Sequence, residues 1–210
     1  MSALNPYVVF QNDSIVVAEK PAGLLSVPGR GPEKADCLFS RLLKTYPELL
    51  IVHRLDQATS GLMIWARTKD AQRALGRQFE MRLVQKRYEA LVAGELPGEE
   101  GTIRLKQRLD PENRPLQLID PELGKEGITE WNAGEILPGG LRRVSLSPHT
   151  GRTHQLRLHM ASLFCPIAGD SLYGDGKNYA YGRMCLHACY LEVNHPTSGE
   201  RLVFQSRPPF

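Results

Sequence analysis

The stretch VHRLDQATSGLMIWA, Val52 to Ala66, changes character at Gly61. Before it lies a polar loop in which Asp56 is the single carboxylate, between His53-Arg54 and Thr59-Ser60-Gly61. After it, Leu62 to Ala66 is an unbroken apolar run that reads as a buried strand. Asp, Thr, Ser and Gly all favour turns, which accounts for a loop but not for its one acid. Thr68 then has the chemistry of a helix N-cap, and Ala71, Ala74, Leu75, Phe79 and Leu83 trace an apolar stripe behind it. Arg73 and Arg77 fall on the polar side of that helix.

Outward from this segment, short strands recur. Ser14 to Ala18 reads as a strand that runs into a bend at Lys20-Pro21-Ala22-Gly23-Leu24-Leu25. Cys37 to Thr45 reads as a helix with Leu38, Leu42 and Leu43 on one side. Lys86 to Ala93, KRYEALVA, alternates as a strand with Tyr88, Ala90 and Val92 on one face. The turn-rich segment Glu95 to Asn132 predicts short hairpins that extend the sheet, and Arg143 to Leu146 returns as a strand. Thr153 can cap a helix whose buried stripe is Leu156, Met160 and Leu163. Leu186 to Val193 and Arg201 to Gln205 are the last strands. Few strands are separated by a full crossover helix, which argues for a mixed, mostly antiparallel sheet with helices packed on it, an α+β arrangement in one domain over residues 1–210.

Composition agrees with a soluble globular chain, at 41% hydrophobic and 23% charged residues. Met1 to Phe10 has no basic segment leading into an apolar one, and no apolar run approaches the ~20 residues that cross a bilayer. The cysteines, Cys37, Cys165, Cys185 and Cys189, are too sparse for a disulfide framework and suit a reducing compartment, so a cytoplasmic protein is expected. Cys185, His187 and Cys189 alternate and invite a zinc reading, but no second pair has ligand spacing, and small residues packed in a strand account for them better. There is no glycine-rich loop ending in Lys-Ser or Lys-Thr, no G-x-G-x-x-G after a strand and no H-E-x-x-H. Asp170 and Asp175 in GDSLYGDG lack calcium-loop spacing and read as a structural turn.

Net charge is only +3, but it is unevenly spread. Arg67 to Arg87 holds seven basic and two acidic residues, and Ile136 to Gly169 holds no carboxylate while carrying Arg142, Arg143, Arg152 and Arg157. Solvated basic faces are common; two segments purged of acid also suit a surface that meets phosphates.

HRLDQATSG, KRYEALV at Lys86 to Val92 and GRTHQLRLHM at Gly151 to Met160 together resemble the RluA family of pseudouridine synthases. EKPAGLLSVPG, PIAGDSLYG and LHACYL match further family segments in the same order, and the resemblance spans roughly Tyr7 to Pro208. DPENRPLQ, Asp110 to Gln117, looks most like the RluA branch, which acts on large-subunit ribosomal RNA and transfer RNA. The resemblance implies a single catalytic domain with a bent sheet and a central RNA-binding cleft. It implies no cofactor, because isomerising uridine breaks the C1′–N1 bond, turns the uracil and forms a C1′–C5 bond with no net redox or group transfer. Asp56 takes the family's catalytic position. It would attack C1′, remove a C2′ proton to give a glycal-like intermediate, or add to the base at C6; the glycal route is preferred. Arg157 matches the arginine that keeps this acid ionised against burial and phosphates, so Arg157→Ala is expected to abolish most activity and leave the fold intact.

Tyr88 matches the tyrosine whose ring faces the uracil. Arg54 matches the residue that fills the space of the flipped base, with His53 on the backbone. Arg73, Arg77, Arg82, Lys86, Arg142, Arg143 and Arg152 would bind RNA phosphates, and Leu186 would line the uracil pocket. The chain has Glu19 where relatives often have Asn. Too few residues precede the first strand for an N-terminal S4-type domain, which favours a stem-loop target read by the catalytic domain alone. A monomer with no obligate protein partner is expected. A non-catalytic ribosome-associated binding module explains the basic segments but gives Asp56 no purpose. A hydrolase acting at C1′ would need a second carboxylate for acid catalysis.

Overall fold

Gly61 is where the chain must pass another backbone. Its φ is +115°, and a Cβ built there would lie 2.3 Å from the carbonyl oxygen of Ala188. Only glycine satisfies both demands, so the polar loop can run directly into a fully buried strand. A computed structural model describes residues 5–177 and 179–210; residues 1–4, included in the reading of the N-terminus, lie outside the described residues. In chain order the strands are β1 (Val8–Gln11), β2 (Ile15–Lys20), β3 (Leu50–Ile51), β4 (Ser60–Ala66), β5 (Gln85–Val92), β6 (Glu100–Leu109), β7 (Gln117–Ile119), β8 (Lys125–Ile136), β9 (Arg142–Pro148), β10 (Leu186–Asn194) and β11 (Arg201–Gln205). The helices are α1 (Leu38–Leu43), α2 (Lys69–Glu80) and α3 (Gln155–Ser162).

The chain divides into two compact units. The first runs to Lys86 and takes back Ala188–Pro208; the second comprises Arg87–His187 with Pro209–Phe210. In the first, β2 pairs antiparallel with β1 and β4, β3 adds to β4, and β11 pairs antiparallel with β10. Thr68 caps α2 as its sequence predicts, its hydroxyl accepting the Ala71 N–H at 3.1 Å. Ala71 and Leu75 on α2 then pack on Ile15, Val17, Leu62, Ile64, Leu191 and Val193, closing one face of the strands.

In the second unit every named pairing is antiparallel: β9 lies between β5 and β8, and β6 lies between β8 and β7. β6 and β8 are long and the three-residue β7 pairs on the other side of β6, so Glu95 to Asn132 extends the sheet as expected, in longer strands than its turn residues suggested. The start of α3 also departs from expectation. Its N-cap is His154, held at φ 55°, and Thr153 does not cap it. Gln155 organises this end instead. Its Oε1 accepts the Thr150 hydroxyl at 2.6 Å and the Arg152 N–H at 3.0 Å, while its Nε2 donates to the Ile128 carbonyl and the Thr129 hydroxyl, both at 3.0 Å. A satisfied buried amide anchors the helix in place of a cap. Everything from Gln155 to Met160 is buried, so the expected one-sided stripe is overridden by packing all round. β1 and β3, four and two residues long, are too short to leave a periodic signal in the sequence.

Candidate active site

The loop around Asp56 belongs to the first unit, and its backbone is braced on both sides. Ser26 takes both backbone groups of Leu55: its hydroxyl donates to the carbonyl at 2.7 Å and accepts the N–H at 3.0 Å. On the other side, the Gln57 carbonyl accepts the Lys20 ammonium at 2.9 Å and the Gly23 N–H at 2.9 Å, while Gln57 Nε2 donates back to the Gly23 carbonyl. Lys20 is 1% exposed and also donates to the carbonyls of Pro21 and Leu24, at 2.8 and 2.7 Å. The Thr59 N–H closes the turn on the Asp56 carbonyl at 3.1 Å. Asp56 itself is half-buried, and its carboxylate makes no hydrogen bond or ion pair among the described residues. The fold spends its bonds on the neighbours of the acid and leaves the acid unspent.

This brace gives a direct prediction. Lys20→Met keeps the length of the side chain but strands three carbonyls, so denaturant unfolding should show a loss of about 3 kcal/mol or more. Turnover by the folded fraction should fall as well, because the Asp56 loop loses its anchor. A variant with parental stability and rate would mean that Lys20 does not hold the loop.

His53, expected to contact the RNA backbone, is tied into the loop by contacts within the chain. Its Nε2 accepts the Ile64 N–H at 3.0 Å, and its ring stacks on Phe79 with centroids 4.7 Å apart. Burial, reinforced by the Lys86 charge, pushes its pKa down to about 3, so the ring is neutral at pH 7. It fastens the loop to β4. Lys86 stands 6.0 Å from the Phe79 ring, and burial lowers its pKa. Arg54 is exposed, and Arg54, Arg77 and Arg82 make no ion pair among the described residues. Arg73 pairs with Asp70 on the exposed face of α2.

The second unit carries Tyr88, half-buried on β5 opposite Leu146, and Leu186, 2% exposed at the start of β10. Arg157 lies on α3 with its side chain 4% exposed. The carboxylate it forks is Asp170: Nε meets Oδ2 at 2.7 Å and Nη2 meets Oδ1 at 2.6 Å. Asp170 holds its turn as the sequence predicts, accepting the Leu172 and Tyr173 N–H groups. It is also the arginine's buried counter-charge. Arg142 pairs with Glu99, and Arg143 pairs with Glu89 and Glu135, each at 3.2 Å. The segment from Ile136 to Gly169 lacks acids of its own, but neighbouring strands and turns supply them across the sheet, so both arginines already have carboxylate partners. Arg152 donates from Nε to the Glu126 carbonyl at 3.0 Å. Lys20, Ser26 and Asp170 have supporting contacts that the motifs did not assign. Only Lys20 and Asp170 carried a signal, as charged residues in apolar surroundings next to a glycine turn. Among the described residues no group of three or more His, Cys, Asp or Glu side chains converges as a metal site.

The fold itself is that of the pseudouridylate synthases. It superposes on the solved structure of human RNA Pseudouridylate Synthase Domain Containing 1 with a TM-score of 0.79 and 30% identity, over 97% of this chain and 84% of that one. Human RNA Pseudouridylate Synthase Domain Containing 4 matches in fold with a TM-score of 0.75, at 24% identity over 99% of this chain and 90% of that one. The family model described as RNA pseudouridylate synthase matches residues 14–162. A dual-specificity RNA pseudouridine synthase RluA of Haemophilus influenzae is 42% identical over 99% of this chain and 96% of its own. That of Escherichia coli is 43% identical over 97% and 93%. The chain belongs to the RNA pseudouridylate synthase family and is an enzyme that isomerises uridine.

Proposed function

We propose that this enzyme makes pseudouridine in two kinds of RNA, a stem-loop of large-subunit ribosomal RNA and the anticodon arm of transfer RNA, in the cytoplasm and as a monomer. The reading rests first on the Asp56 loop: a carboxylate left without a partner, in a turn whose flanking residues are held by Lys20, Gly23 and Ser26. A group free to react, on a backbone that does not give, is what positioning for catalysis requires. Asp56 acts on the ribose or uracil of the target, Arg157 keeps it ionised in the presence of phosphates, and Tyr88 stacks on the uracil near C5. Arg54 enters the space that the uridine vacates. Arg77, Arg82, Lys86 and Arg152 hold the backbone; Arg73, Arg142 and Arg143 contribute less, because each already has a carboxylate. Dual specificity follows the description of the relatives and the likeness of Asp110 to Gln117 to their branch. The buried thiols of all four cysteines suit a reducing cytoplasm.

The test is to map carbodiimide-dependent reverse-transcription stops in RNA from cells with and without the gene. One stop in large-subunit ribosomal RNA and one in a transfer RNA anticodon arm should vanish, and return with the parental enzyme but not with Asp56→Asn. Loss confined to transfer RNA would reduce the specificity to one substrate, and no lost stop would contradict the reading.

A further inference from the structure

The turn Gly169 to Gly174 is built around Asp170, whose side chain is 0% exposed. Its Oδ1 accepts the N–H of Leu172 at 2.9 Å and of Tyr173 at 3.2 Å, so the turn's own backbone fixes the carboxylate. Burial alone would raise its pKa. The Arg157 charge and the two N–H groups outweigh that and bring it below the usual value, so the pair is ionic. The same turn supplies a second support. The Tyr173 ring lies 5.3 Å from the Arg157 guanidinium carbon, and its hydroxyl accepts the Gln117 N–H at 2.7 Å and sits 3.0 Å from His154 Nδ1. Arg157 is therefore gripped along one edge by Asp170 and over one face by Tyr173. A buried ion pair adds little stability over a well-packed apolar pair, so stability alone does not explain this arrangement.

We propose that Asp170 is the positioning residue of Arg157: the GDSLYG turn presets a carboxylate that aims the guanidinium, without itself touching RNA. This rests on the reading that Arg157 acts in the reaction. The test measures kcat and KM on a uridine stem-loop for Asp170→Asn and Asp170→Glu, in the parental enzyme and in Arg157→Lys. Asp170→Glu retains the charge, so the pair stays compensated, but its longer arm shifts the guanidinium; it decides the matter should Asp170→Asn not fold. The expected result is a fall in kcat of about 10²-fold, with KM changed by less than about threefold. In the Arg157→Lys background the same change should cost less than about threefold, because the fork is already gone. Parental kcat for folded Asp170→Glu, or a full second loss on top of Arg157→Lys, overturns the inference. Full turnover by Arg157→Lys alone overturns the reading of Arg157 and this inference with it. Loss at Arg157 with none at Asp170 overturns the inference only.

Discussion

Asp56→Asn should fold and melt as the parent does while losing on the order of 10⁴-fold or more in kcat. The two halves of this expectation have separate causes. Asp56 is half-buried and its carboxylate has no partner among the described residues, so replacing one oxygen by an amide should change stability by less than about 0.5 kcal/mol. Chemistry is another matter. An amide is neither a nucleophile toward C1′ nor a base toward C2′, and the second unit's buried acid, Asp170, is committed to Arg157. Tritium release from RNA labelled at uridine C5 measures the rate, and thermal unfolding measures the stability. Retention of a tenth of the parental rate would remove Asp56 from the chemistry.

Arg157→Ala should damage both activity and stability. Read from the sequence, this substitution leaves the fold intact. The fork with Asp170 changes that expectation, since deleting the guanidinium leaves a fully buried carboxylate without its counter-charge. The loss should be about 3–5 kcal/mol in denaturant unfolding. Turnover by the folded fraction should fall by on the order of 10²- to 10³-fold, the scale for removing a single preorganised charge from a reacting centre. The double variant Arg157→Ala, Asp170→Asn separates the two effects: it should regain part of the stability, because no charge is left buried alone, and none of the turnover. Recovery of turnover in the double variant would show that Arg157 serves only to neutralise Asp170.

What could be read from the sequence, and what could not, divides along a physical line. α2 was legible because its cap and its apolar positions are local: Thr68 bonds to Ala71, and Leu75 recurs one turn later. The buried strand after Gly61 was legible for the same reason. α3 was misread at its start because Gln155, not Thr153, secures that end, through partners on β8 more than 20 positions away. Charge pairing is equally non-local. Arg142 and Arg143 look unopposed along the chain, yet Glu99 and Glu89 reach them from distant positions. The contacts of His53, whose ring stacks on Phe79 and accepts the Ile64 N–H, leave no trace along the chain either. Asp56, Tyr88 and Arg157 were nominated by short motifs, which carry residue identity, whereas the contacts of Ser26 and Tyr173 depend on partners far along the chain.

The most direct measurement of the central claim, that one aspartate isomerises uridine with no help from a metal or cofactor, is product analysis with chelator-treated enzyme. A uridine-containing stem-loop is incubated with the protein in excess EDTA, digested to nucleosides and resolved by mass spectrometry and chromatography. Pseudouridine should form at the untreated rate, with the mass unchanged and no free uracil. Free uracil with an abasic site, or a reaction that stops until a divalent metal is restored, would contradict it.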